Sequence, residues 1–165
     1  MMMKPIIPPA HIAPAGYRNL FFFGDFLNEE ELGDLGILPR PVCIAFNPSR
    51  RWIIGPSGHA TMIGQRDFNV YGVVHQIPDP EVVALDLHLD VPSTWDRAGA
   101  LLRQLDGRLI SSEYYVTRNR RPTRGKKTYV DRIANRAKQL GFPEHYIAEL
   151  RAWRNSPIPR VELAI

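Results

Sequence analysis

Three consecutive phenylalanines running into a glycine, Phe21-Phe22-Phe23-Gly24, constrain this chain more than any other feature. Successive side chains of a strand point to opposite faces, so an unbroken aromatic run demands cover on both sides. RNLFFFG, 18 to 24, therefore reads as a strand ended by glycine. LNEEELGD, 27 to 34, then opens a short helix, with Asn28 in the N-cap position and Glu29 to Glu31 at the positive end of the helix dipole. The turn between them, around Gly24, is of a kind that holds ligands.

The rest of the chain has mixed periodicity. VCIAF, 42 to 46, is a second apolar run, and SRRWIIGPSGHATMIG reads as strand, Gly/Pro turn, strand. FNVYGVVHQI, 68 to 77, is a long β segment; its Gly72 marks a bulge or a place where another backbone comes close. Asp79-Pro80-Glu81 opens a helix over about 80 to 88, with Asp79 as N-cap. A further β region centres on RLISSEYYVTR, 108 to 118. Val130, Ile133, Ala134, Ala137 and Leu140 recur at helical spacing, Gly141 stops that helix, and Pro143 opens another with Tyr146, Ile147, Leu150 and Trp153 on one face. These elements predict an α+β domain: a mainly antiparallel, curled sheet or small β-barrel with short inserted helices and a C-terminal helical pair. The 15 prolines also disfavour a helical bundle. We place an extended arm at 1–17, the domain at 18–156 and a tail at 157–165.

Charge and cysteine usage narrow the function classes. The net charge is +4, but RNRRPTRGKK, 118 to 127, holds six basic residues and no acidic one, so the remainder carries −2. Arg118, Arg120, Arg121 and Arg124 are candidate anion contacts, since guanidinium forks suit phosphate. The ordinary alternative is a solvated loop before a helix. No aromatic residue interleaves the basic ones and no nucleic-acid motif is present, so a dedicated nucleic-acid-binding role ranks last. Cys43 is the only cysteine and sits in an apolar run, which fits a buried thiol and a reducing cytoplasm. Prolines interrupt the apolar N-terminus, and no stretch approaches the ~18 apolar residues that a membrane helix requires.

The order of elements resembles the gamma-glutamylcyclotransferase-like family, which includes the AIG2-like proteins. The turn Phe23-Gly24-Asp25-Phe26-Leu27 is similar to that family's Tyr/Phe-Gly-Ser-Asn-Leu turn. VCIAFN, WIIGPSGHATMIG and VYGVVHQI follow in the family's order. LDLHLDVP, 85 to 92, matches a helix end written Leu-Asp-x-x-Glu-Gly-Val-Pro, and YYVTR and GFPEHYIAEL match its final pieces. The resemblance implies a cavity below Gly24 for a small gamma-glutamyl-type ligand, bound through residues 23 to 27. It also implies a reaction without metal or cofactor, in which one glutamate moves a proton from the alpha-amine to the leaving amine as 5-oxoproline closes.

The chain departs from that pattern at the chemistry. Leu89 occupies the position of the catalytic Glu, Asp25 and Phe26 replace the turn's Ser-Asn pair, and STWDR with Trp95 and Asp96 stands where a tyrosine is usual. Leucine cannot transfer a proton. Asp90, one residue on, and Glu113 in SSEYYV are the surrogate carboxylates to test; an exposed strand position is the ordinary reading of Glu113. Asp25 in the turn would favour an amine or guanidinium, or serve simply as a cap. Asp86, His88 and Asp90 form D-x-H-x-D, but at a helix end they splay by about 200° per two residues, so we assign no metal. His59 and His75 stand alone in β segments and read as surface or core polar groups. Two functions remain: a divergent cyclotransferase-like enzyme of altered substrate choice, or a pseudoenzyme that uses the same cavity for binding or interaction.

Overall fold

The computed structural model describes residues 12–154 and 158–161. It is an α+β fold built on a closed five-stranded barrel in the order β1-β3-β2-β4-β5. The strands are β1 (Tyr17–Phe22), β2 (Pro41–Ile54), β3 (Ala60–Pro78), β4 (Trp95–Gln104) and β5 (Leu109–Thr117). All neighbours pair antiparallel except β1 and β5, which close the barrel in parallel with Leu20 opposite Glu113. Four helices are inserted or appended: α1 (Glu29–Asp34), α2 (Asp79–His88), α3 (Lys127–Gln139) and α4 (Glu144–Arg151). Ile158 to Val161 carry no regular structure; other parts of the tail and most of the arm lie outside the described residues.

The phenylalanine run is covered on both sides, as its composition demands. Phe21 and Phe23 join the larger core, with Trp52, Tyr71 and the apolar faces of α3 and α4. Leu20 and Phe22 face a second core, formed with Leu32 of α1, Val82 and Leu85 of α2, and Tyr115. Each such buried side chain contributes about 1.5–3 kcal/mol of transfer free energy. Gly72 is where a backbone comes close: a Cβ there would stand 2.3 Å from the Phe22 carbonyl oxygen.

Three elements differ from expectation. β4 was not predicted: WDRAGALLRQ buries only Leu102 and Gln104, so it lacks apolar alternation and is held by its ladder with β5. The acidic segment after Gly24 divides into a 3-10 turn (Asp25–Leu27) and α1, with Asn28 at the N-cap but without a side-chain cap bond. Asp79 is the first residue of α2 rather than its cap; Pro78 holds the cap position, and the Asp79 carboxylate lies 3.3 Å from Arg18. The two predicted C-terminal helices are present, with their apolar residues buried.

Candidate functional site

Gly24 sits where the two cores meet. An added Cβ would lie 3.0 Å from Cβ of Ala60, so a larger residue would press on the start of β3 by a few tenths of an ångström. The turn is fastened from within: the Trp52 indole donates to the Phe23 carbonyl at 3.1 Å, and the Leu27 amide returns to the Gly24 carbonyl at 3.0 Å. A stripe of α3 clamps it from outside. Tyr129 donates to Oδ1 of Asp25, Arg132 pairs with Glu31 at 2.5 Å, and Arg136 donates to the Leu27 carbonyl at 3.2 Å. Residues 129, 132 and 136 share one helical face. Sequence reading traced the apolar face of α3 and missed this polar one.

Below Gly24 lies a cavity of about 30 Å³, bounded by the aromatic run, Phe26, Leu89, Trp95 and Tyr115. That volume holds a water or two, against the roughly 300–1,000 Å³ of small-molecule sites. Phe26 packs edge-on to Phe22 at 5.4 Å between ring centroids, and Leu89 follows the end of α2. Both line this narrow space. Beside it runs an open groove of about 460 Å³, sharing Asp25, Phe26, Leu89 and Trp95 with the cavity and adding Glu31, His59, His88 and Asp90.

His59, on the hairpin that joins β2 to β3, completes a polar cluster at this mouth. Its Nδ1 is 2.8 Å from Oδ2 of Asp25, and its ring stands edge-on to Trp95 and Tyr129 at 6.1 and 5.9 Å between centroids. The Tyr129 hydroxyl accepts from the Ala60 amide at 2.7 Å. It can then only donate to Asp25, which fixes the phenol in its protonated form; burial and the adjacent carboxylate push its pKa well above 10. Its hydrogen bond to Asp25 raises the pKa of His59 above 6.5, against the opposing pull of burial. Each oxygen of Asp25 thus has a partner within the protein.

The predicted site residues fall in different places. Phe23 to Phe26 line the cavity, while Leu27 is buried behind it. Asp90 lines the groove, accepts from the Thr94 hydroxyl at 2.9 Å and has a positive φ of 54°. Glu113 lies elsewhere, in a groove beside Ile12 and Arg18, and pairs with Arg18 at 3.2 Å and Arg97 at 3.6 Å. Asp86 does not meet His88 or Asp90; it is bound by Arg97 and by the Tyr115 hydroxyl at 2.7 Å. Among the described residues no three His, Cys, Asp or Glu side chains gather as metal ligands. His75 is in the core, accepting from the Arg40 amide at 3.1 Å, and burial lowers its pKa to about 4. Cys43 is partly rather than fully buried, and that burial raises its thiol to about 11.

The basic loop is pinned through its backbone and exposes its side chains. Thr123 bonds Ile54 and Gly55, and the Gly125 amide reaches the Trp153 carbonyl at 3.1 Å. Arg118 donates to the Pro92 carbonyl at 2.9 Å, whereas Arg120, Arg121 and Arg124 extend to solvent. No described helix is long and apolar enough to cross a membrane.

No family model matches the sequence, and no curated protein sequence matches it. Solved structures do match its fold. A gamma-glutamyl cyclotransferase superposes with a TM-score of 0.77 at 19% identity, over 90% of this chain and 94% of that one. An uncharacterised protein from Homo sapiens gives 0.78 at 21%, over 89% and 94%. A yeast gamma-glutamyl cyclotransferase specific to glutathione gives 0.58 at 12%, over 87% and 98%. The barrel, the Gly24 turn and the helical pair therefore make up a gamma-glutamyl cyclotransferase-type fold.

Proposed function

We propose that this protein binds, or acts with altered chemistry on, a small amine- or amide-bearing ligand of the gamma-glutamyl type at the mouth formed by the Gly24 turn, Trp95 and Asp90. The observation that carries this reading is the narrow cavity beside a wide groove. Phe26 and Leu89, from different elements, line both the cavity of about 30 Å³ and the open groove of about 460 Å³. Leu89 stands where the resemblance places the proton-shuttling glutamate, so the family's own route is altered or lost. Of the two surrogate carboxylates, Asp90 borders the groove and Glu113 is neutralised by two arginines elsewhere. A purely non-catalytic module on the same fold is the second reading, favoured by the apolar lining of the cavity. An anion contact through Arg118, Arg120, Arg121 and Arg124 stands third.

The test is 5-oxoproline release from gamma-glutamyl amines and dipeptides by the wild type and by Leu89→Glu, with ligand binding followed by tryptophan fluorescence. Binding or turnover in the wild type supports the reading. Activity only in Leu89→Glu favours the non-catalytic module. No binding and no turnover in either protein overturns the site.

A further inference from the structure

The Asp25–His59 pair has the arrangement of an oriented base rather than of a plain surface ion pair. Tyr129, fixed by the Ala60 amide, holds one oxygen of Asp25, and the other oxygen receives Nδ1 of His59. A carboxylate on Nδ1 selects the tautomer that leaves the Nε2 lone pair available. Nε2 has no hydrogen-bond partner among the described residues. The ring borders the open groove and stacks edge-on to Trp95, which also lines the narrow cavity.

We propose that His59, oriented by Asp25 and Tyr129, is the proton-transferring residue of this site, in the role that Leu89 cannot fill. The proposal rests on the reading above in its catalytic form. The alpha-amine of a gamma-glutamyl amine attacks the gamma-carbonyl carbon, forming the ring C–N bond, and its proton passes to Nε2. The tetrahedral intermediate then expels the leaving amine, which takes that proton from Nε2 as the old C–N bond breaks. The products are 5-oxoproline and the free amine, and His59 returns to its neutral form. Asp25 and Tyr129 are positioning residues. The titratable groups that face His59 are Asp25 from the turn, Glu31 from α1 and Tyr129 from α3; Asp34, His88 and Asp90 share the groove.

The experiment is 5-oxoproline release by the full chain across pH 5–9, from gamma-glutamyl dipeptides and gamma-glutamyl amines. Wild type is compared with His59→Gln, Asp25→Asn and Asp90→Asn, and tryptophan fluorescence reports binding in parallel. The expected result is wild-type turnover that rises with pH, and a loss of roughly 100-fold or more in His59→Gln at retained binding, the usual scale of acid–base catalysis. In Asp25→Asn the rising limb moves to lower pH, because the imidazole loses its carboxylate; a merely structural role would not shift it. Turnover kept in His59→Gln but lost in Asp90→Asn overturns the proposal in favour of Asp90. A silent wild type that still binds the probes overturns His59 as a catalytic residue and leaves the binding site standing. A silent wild type that binds none overturns both.

Discussion

Two aspartates in this molecule share one kind of companion, differ in the other, and have opposite consequences. Asp86 and Asp25 each receive a tyrosine hydroxyl on one oxygen, from Tyr115 and Tyr129 respectively. On the other oxygen Asp86 holds Arg97, and Asp25 holds His59. Arginine is always charged, so the first cluster is a permanent brace between α2, β4 and β5, placing Leu89 against the cavity. Histidine titrates near neutrality, so the second cluster can change its charge and move a proton. The partner, not the aspartate, separates structure from chemistry here.

Asp86→Ala should have the largest effect. It takes the acceptor from the Tyr115 hydroxyl and leaves Arg97 only its longer pairing with Glu113, in a partly buried place, which lowers stability by about 3 kcal/mol. A urea midpoint close to that of the wild type would show that the brace is dispensable. His75 is next. Its folded pKa of about 4 lies below the unfolded 6.5, so its contribution is present above pH 6.5 and drains as pH falls towards 4. The loss reaches about 3 kcal/mol at the acid limit, and His75→Gln should flatten that limb of the stability profile.

Tyr129→Phe should lower stability by about 1–2 kcal/mol, since the Ala60 amide and one oxygen of Asp25 lose their partner. His59 gives the opposite sign to His75: its folded pKa is raised, so its stabilisation is full below pH 6.5 and lost as pH rises through the raised value. The stability gap between wild type and Asp25→Asn should therefore widen on acidification; a gap constant from pH 5 to 9 would dissolve the pair. Asp90→Asn should change stability least, by less than about 0.5 kcal/mol, because asparagine tolerates a positive φ and can still accept from Thr94. A thermal melt suffices to check it.

Local pattern made part of this molecule legible. Phe21 to Gly24, the helical spacings of 130 to 140 and 146 to 153, and the long β segment around Gly72 each carry their own period or stop signal, and each is found in place. β4 carried no such signal, because its stability comes from pairing with β5. The turn at Phe23 to Phe26 was readable as a candidate site, but its electrostatics were not. His59 looked solitary and the partners of Asp25 were not legible, because these side chains meet residues distant in the chain.

The sequence by itself therefore determined the strand-and-turn frame, the helical pair and the absence of a proton donor at Leu89, all properties of neighbouring residues and side-chain chemistry. Only the tertiary structure decided that Asp25 meets His59 across 34 residues and Tyr129 across 104. It alone decided that Phe26 and Leu89 line both a narrow cavity and the open groove beside it. Closure of the barrel creates those proximities, and no local periodicity encodes which side chains a closed sheet brings face to face.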